Sequence, residues 1–149
     1  MLKGIHSTIS PELLYVMAQM GHGDELAIVD VNFPAASVAR HLPYDKVLTI
    51  GLRLPQAVTV ITNLMPLDTF VPAAATSMQV VDDPDAVPEA IAETIPIIER
   101  AGSALQSIDR FGFYEFARNS FAILQCHDTR LYANMILKKG VITANPARA

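Results

Sequence analysis

The sequence predicts one α/β domain with a central, mostly parallel sheet flanked by helices. Three observations point there. Helical and extended patterns alternate along the chain, as they do where crossover helices join parallel strands. The length of 149 residues is that of one ordinary domain, long enough to bury a core without staples. No repeat and no low-complexity linker divides it. The domain is therefore expected over 1–142, with 143–149 as a C-terminal tail.

The first helix starts at a clear signal. Ser10 can cap it, Pro11 suits its first turn, and Glu12 favours its positive end. Leu13, Val16, Met17 and Met20 form one apolar stripe, and Gly21 is a natural stop. Glu25 to Asp30 reads as a buried strand ending in a carboxylate, and Lys46 to Ile50 as a second strand. Pro55 opens a helix with Ala57, Val60, Ile61 and Leu64 on its apolar face. Ala74 to Val81 reads as extended. The acidic run Asp82-Asp83-Pro84-Asp85 precedes a helix starting near Pro88, where negative charge suits the helix terminus better than a metal site. Ile91, Ile95 and Ile98 mark that helix's buried face, and Pro96 should kink it. After Gly102 come a short extended piece to Asp109-Arg110, a helix from Phe111 to Asn119, and strands over Phe121–Gln125 and Asn134–Leu137.

Composition limits the partners. Hydrophobic residues make up 51% and charged residues 17%, against about 25% charged in ordinary domains. A chain this short needs charge for its surface, so the shortage points to self-association, since charge is depleted in interface cores. The formal net charge is -4, and Lys138-Lys139 is the only basic doublet. No basic stripe suits phosphates, so no nucleic-acid partner is expected. One cysteine, Cys126, forms no internal disulfide. The N-terminus lacks a signal peptide's apolar core, and no apolar run could cross a bilayer. A cytoplasmic protein with no membrane partner is expected.

Several chemistries lack their residues. No glycine-rich phosphate loop, dinucleotide fingerprint, C-x-x-C or G-x-S-x-G occurs. No histidine pair has helical metal spacing, and Cys126 and His127 would point to opposite faces of a strand. Neither metal nor cofactor is expected. What remains is a set of polar groups at element ends. His22 stands between Gly21 and Gly23, which leaves its imidazole unobstructed for proton transfer near neutrality; a solvated loop histidine is the plainer reading. Asp30 ends an apolar strand, at the sheet edge where ligands collect in open α/β folds, or else caps the turn into Asn32-Phe33-Pro34. Arg110 stands beside Phe111, Phe113 and Tyr114, a pairing that suits sugar hydroxyls and C–H faces, although Phe113 and Phe116 read as core. Tyr132-Ala133-Asn134 precedes the last strand; Tyr and Asn both donate and accept, but turn chemistry is the alternative. Together these groups fit acid/base chemistry on a neutral polar molecule.

At these residues the sequence resembles the FucU/RbsD sugar mutarotases. The matching stretches are MGHGDELAIVDVNFPA, DRFGFYEFA and LYANMILKKGV, and the resemblance runs from the Ile9–Leu14 helix start to Val141. Arg110 and the Phe113-Tyr114-Glu115 run resemble the fucose branch; the ribose branch tends to carry histidine where Arg110 stands. The resemblance implies an RbsD-like α/β subunit assembled into rings, commonly a decamer of two stacked pentamers. It implies interconversion of the α and β anomers of a monosaccharide, L-fucose before others, without cofactor. It maps proton transfer onto His22 and sugar binding onto Asp30, Arg110, Tyr132, Ala133 and Asn134. Tyr132 is the second candidate for catalysis. A non-catalytic sugar-binding or transport-accessory protein is the alternative, and a purely structural ring the third.

Chain geometry adds one expectation. His22 precedes the first strand and Asp30 ends it, so at about 3.3 Å per extended residue their Cα atoms lie ~20–26 Å apart. A monosaccharide is far smaller. If both groups serve one sugar, His22 should come from a neighbouring subunit.

Overall fold

The structure, a computed structural model, describes residues 2–143. Of the tail expected over 143–149, only Thr143 lies within the described residues. In chain order the elements are α1 (Pro11–Gln19), β1 (Glu25–Val29), α2 (Ala35–Ala39), β2 (Val47–Ile50), α3 (Leu54–Thr62), β3 (Ala75–Met78), α4 (Glu89–Arg100), β4 (Leu105–Ile108), α5 (Arg110–Arg118), β5 (Ala122–Cys126) and β6 (Met135–Lys138).

The strands form one sheet in the order β2-β5-β1-β6-β3-β4. The pairs β1–β5, β2–β5 and β3–β4 are parallel, whereas β6 runs antiparallel to both β1 and β3. Five strands thus point one way and β6 points back. Helices cover both faces, so strand residues alternate between two cores. Leu26 and Ile28 meet Leu13, Val16, Leu54, Ile61, Ile91 and Ile98. Ala27 and Val29 meet Phe33, Val38, Phe113 and Ala117 on the other face.

The helix signals act as expected at α1: the Ser10 hydroxyl accepts the Leu13 N–H at 3.1 Å. The helix stops before Gly21, with Met20 as its C-cap, and the chain then turns at Gly23, whose φ is +86°. Two details differ from expectation. Helix α2 follows Asn32-Phe33-Pro34 and is only five residues long, too short to display a period. Helix α3 ends at Thr62, before Leu64. Helix α4 continues through Pro96; Pro96 and Ala92 lie on its exposed side, where water can satisfy the carbonyl that proline leaves unpaired. Cys126, the last residue of β5, is buried, and His127, just beyond its end, is exposed.

Candidate active site

The common direction of five strands decides which residues can meet. Asp30 after β1, Val81 after β3, Arg110 after β4 and Asp128 after β5 all lie at the carboxyl edge of the sheet. Because β6 runs the other way, Tyr132, Ala133 and Asn134, which precede it, lie at that same edge.

Asp30 and Asn134 are joined directly. Asn134 Nδ2 donates to Asp30 Oδ2 at 2.8 Å, and the Asp30 N–H donates to Asn134 Oδ1 at 3.0 Å. Asp30 Oδ1 also accepts the Asn32 and Phe33 N–H groups at 2.8 and 3.0 Å, which makes the turn into α2. Asp30 thus caps that turn and also stands at the carboxyl edge of the sheet. One lone pair on Oδ2 and one hydrogen on Asn134 Nδ2 remain for a ligand hydroxyl. Burial raises the Asp30 pKa, the hydrogen bonds from Asn32, Asn134 and Phe33 oppose it, and the Asp128 charge adds to the rise; the net shift is upward.

Tyr132 adopts φ +61°, a left-handed conformation uncommon outside glycine. Its hydroxyl oxygen accepts the Val81 N–H at 3.2 Å, so its own hydrogen is left for another acceptor. Val81 also lines a cavity of about 310 Å³ with Asp109, Arg110 and Phe111. Arg110 opens α5, whose N-cap Asp109 accepts the Phe111 and Gly112 N–H groups, and its guanidinium lies 5.4 Å from the Phe111 ring centre. Phe111 itself is 74% exposed. Phe33 stacks on Tyr114 at 5.2 Å. Phe113 is core as expected, but Phe116 is exposed, because Phe113 and Ala117 are the buried residues of α5. Ala133 is fully buried with its methyl in the core; it spaces Tyr132 from Asn134.

His22 lies at the opposite edge, before β1. Its Nε2 is 3.2 Å from Asp68 Oδ1, and the ring is 46% exposed. A carboxylate only accepts, so Nε2 carries the hydrogen in this contact, and in the tautomer so defined Nδ1 presents a lone pair. The same Asp68 oxygen accepts the Phe70 N–H at 3.0 Å. That backbone hydrogen bond is the chief reason the Asp68 pKa is lowered; burial opposes it, and His22 lowers it further. Asp68 is therefore ionised at neutral pH. Phe70 meets the His22 ring edge to face at 5.5 Å and is 71% exposed. No local pattern pointed to Asp68, which is 46 residues from His22 and becomes its neighbour only through the sheet.

A second unforeseen group supports the loop before Tyr132. Asp128, 1% exposed, accepts the Arg130 N–H at 3.1 Å, Arg130 Nε at 3.0 Å, Arg130 Nη2 at 2.8 Å and the Leu54 N–H at 3.1 Å. Arg130 Nη1 reaches Glu93 on α4 at 3.1 Å. Burial pushes the Asp128 pKa up, but these donors outweigh it and the net shift is downward. Among the described residues, no three His, Cys, Asp or Glu side chains are grouped to hold a metal ion, and no helix is long and apolar enough to cross a membrane.

Residues 3–142 match the RbsD / FucU transport protein family. The chain belongs to the RbsD/FucU family. Within it, the fucose mutarotase of Homo sapiens is 43% identical over 150 residues, covering 97% of either chain. The L-fucose mutarotase of Histophilus somni (strain 2336) is 41% identical over 145 residues, 95% of this chain and 97% of its own. The crystal structure of the fucose mutarotase of Streptococcus pneumoniae, in complex with L-fucose, matches with a TM-score of 0.85 at 38% identity, over 95% of this chain and 100% of that one. The RbsD/FucU fold thus carries the expected α/β architecture over nearly the whole chain.

Proposed function

We propose that this RbsD/FucU-family chain is a cofactor-independent mutarotase that interconverts the α and β anomers of L-fucose. The observation that carries the reading is the His22–Asp68 pair: an accessible imidazole whose Nε2 is held by an ionised carboxylate. A protein that only binds sugar has no use for a group so prepared for proton transfer. Mutarotation takes one proton from the anomeric hydroxyl and delivers one to the ring oxygen as the C–O bond opens to the aldehyde; closure on the other face reverses both transfers. Unaided sugars need minutes to hours, a barrier of roughly 21–23 kcal/mol, and an enzyme need remove only about 8 kcal/mol. General acid and general base catalysis, at ~10²–10⁴-fold each, supply most of that.

In this scheme His22 Nδ1 takes up one proton, and Asp68 stabilises the imidazolium that forms. Tyr132 gives the other, since its oxygen is held by Val81 and its hydrogen is free. Asp30, Asn134 and Arg110 orient the hydroxyls, and the Tyr132–Asn134 segment sets their spacing. The two halves stand at opposite edges of one sheet, so the site needs a second copy to bring His22 to the carboxyl edge. Phe70 beside His22 and Phe111 beside Arg110, both largely exposed, give each edge an apolar surface suited to such contact. The assembly we propose is the ring form, a decamer of two pentamers. The proposed compartment is the cytoplasm, in keeping with a single cysteine whose thiol burial pushes up to about 11, which leaves it inert.

The decisive experiment is exchange NMR of anomeric protons with catalytic amounts of protein. Exchange should accelerate for L-fucose more than for D-ribose. Faster ribose exchange would overturn the substrate, and no response from either sugar would return the chain to a binding role. Assembly has its own test. In Asp30→Asn the carboxamide would turn an N–H toward Asn134 Nδ2, while Asn134 Oδ1 stays occupied by the residue 30 N–H. That protein and His22→Ala should each be inactive alone, and recover activity when dissociated, mixed and reassembled, because some interfaces then join two intact halves. No recovery, or full activity in a monomer, would rule out the shared site.

A further inference from the structure

The Lys138-Lys139 doublet, with Gly140, occupies a position that the function so far leaves unexplained. Among the described residues, every hydrogen bond of Lys139 goes to the chain around His22. Its ammonium donates to the carbonyl of Met17 at 2.8 Å and to that of Met20, acceptors at the C-terminal end of α1. Its carbonyl accepts the Gly23 N–H at 2.8 Å, and its N–H donates to the Asp24 carbonyl at 2.8 Å. His22 is thus clamped from both sides by one residue. The neighbours of Lys139 hold the other member of the pair. Lys138 O accepts the Asp68 N–H at 3.1 Å, and the Gly140 N–H donates to the Pro66 carbonyl at 2.8 Å. The approach is so close that a Cβ on Gly140 would lie 2.3 Å from the Leu67 oxygen and 2.9 Å from Asp68 Cα. Only glycine fits without moving the Asp68 turn.

We propose that Lys139 and Gly140 are positioning residues that act through the His22–Asp68 pair, with Lys138–Gly140 serving as the splint between two loops that otherwise share no element. This inference rests on reading His22 as the proton-transfer group. Lys139 itself touches no reacting atom. Its ammonium ties down the end of α1 that feeds into His22, with the positive charge that a helix C-terminus favours. A displacement of about 1 Å at such a group can cost on the order of 100-fold in rate.

The test compares wild type, Lys139→Met, Lys139→Arg and Gly140→Ala in the full-length assembly. L-fucose exchange gives kcat and KM separately, and nitrogen-15 NMR of the imidazole gives the His22 tautomer. Wild type should show one tautomer, protonated at Nε2. Lys139→Met should lower kcat about tenfold with KM within about threefold, and should give mixed tautomers. Lys139→Arg, which keeps two donors and the charge, should restore both. Gly140→Ala should reproduce the Lys139→Met defect. Wild-type kcat and a single tautomer in Lys139→Met, or a loss confined to KM, would overturn the splint. If Lys139→Met does not fold, unchanged readings in Gly140→Ala would overturn it equally. A mixture of tautomers in the wild type would do so without any variant. Should the wild type fail to accelerate L-fucose exchange, the proposed function falls, while the tautomer comparison still decides the splint.

Discussion

His22→Ala is expected to slow anomer exchange by about 10²–10⁴-fold while leaving sugar affinity within about tenfold, since general acid/base transfer is worth that much. The ring makes its hydrogen bond to Asp68 and its packing contact to Phe70, both on its own edge of the sheet. Its removal therefore leaves the Asp30–Asn134 pair and Arg110 undisturbed at the other edge, where the sugar hydroxyls are to be held. Exchange rates and a separate titration of L-fucose binding measure the two quantities. Full exchange in the variant would remove His22 from the mechanism; a loss of binding equal to the loss of rate would make it a binding residue instead.

The second large effect is on stability. Asp128→Ala should cost about 3 kcal/mol at pH 7, the low end for breaking a buried ion pair, because Arg130 keeps Glu93 and some contact with water. The Leu54 N–H at the start of α3 also loses its acceptor. The pH dependence follows from the sign of the shift. Asp128 has a folded pKa below its unfolded value of about 3.9. Its stabilising contribution is complete above that value and disappears as pH falls through the lower folded pKa. Asp30, with its pKa raised by burial, acts the other way: the fold holds its proton more tightly, so stability falls as pH rises from about 4 through the folded value. Denaturant titrations of wild type and Asp128→Ala should differ at pH 7 and converge toward pH 3 or below. A difference that persists unchanged into strong acid would assign the loss to packing instead of the ion pair.

Where hydrophobic period and capping chemistry coincide, the chain announces its own structure. Ser10-Pro11-Glu12 starts α1, and Glu25 to Asp30 forms β1 apart from its last residue, because both signals are local. α2 escaped notice because five residues cannot display a 3.6-residue period. The exposure of Phe116 escaped for a different reason: an aromatic residue in a short amphipathic helix is equally compatible with core and surface until the neighbouring helix is known. The polar residues named from the sequence stand at element ends, as expected, and Asp30 with Asn134 proves to be one hydrogen-bonded unit although 104 residues lie between them.

The order of residues along β1 already dictated that His22 and Asp30 stand at opposite ends of an extended segment, since strand rise is a property of the backbone alone. Sequence order could not dictate which distant residues share each end. That depended on β6 entering between β1 and β3 against the direction of the other strands. Its reversal delivers Tyr132 and Asn134 to the edge of Asp30, and Lys138 to Gly140 to the edge of His22 and Asp68. The pairing of these groups is a matter of strand order and register, held by backbone hydrogen bonds between segments far apart in the chain, and such bonds leave no local pattern in the residues that make them.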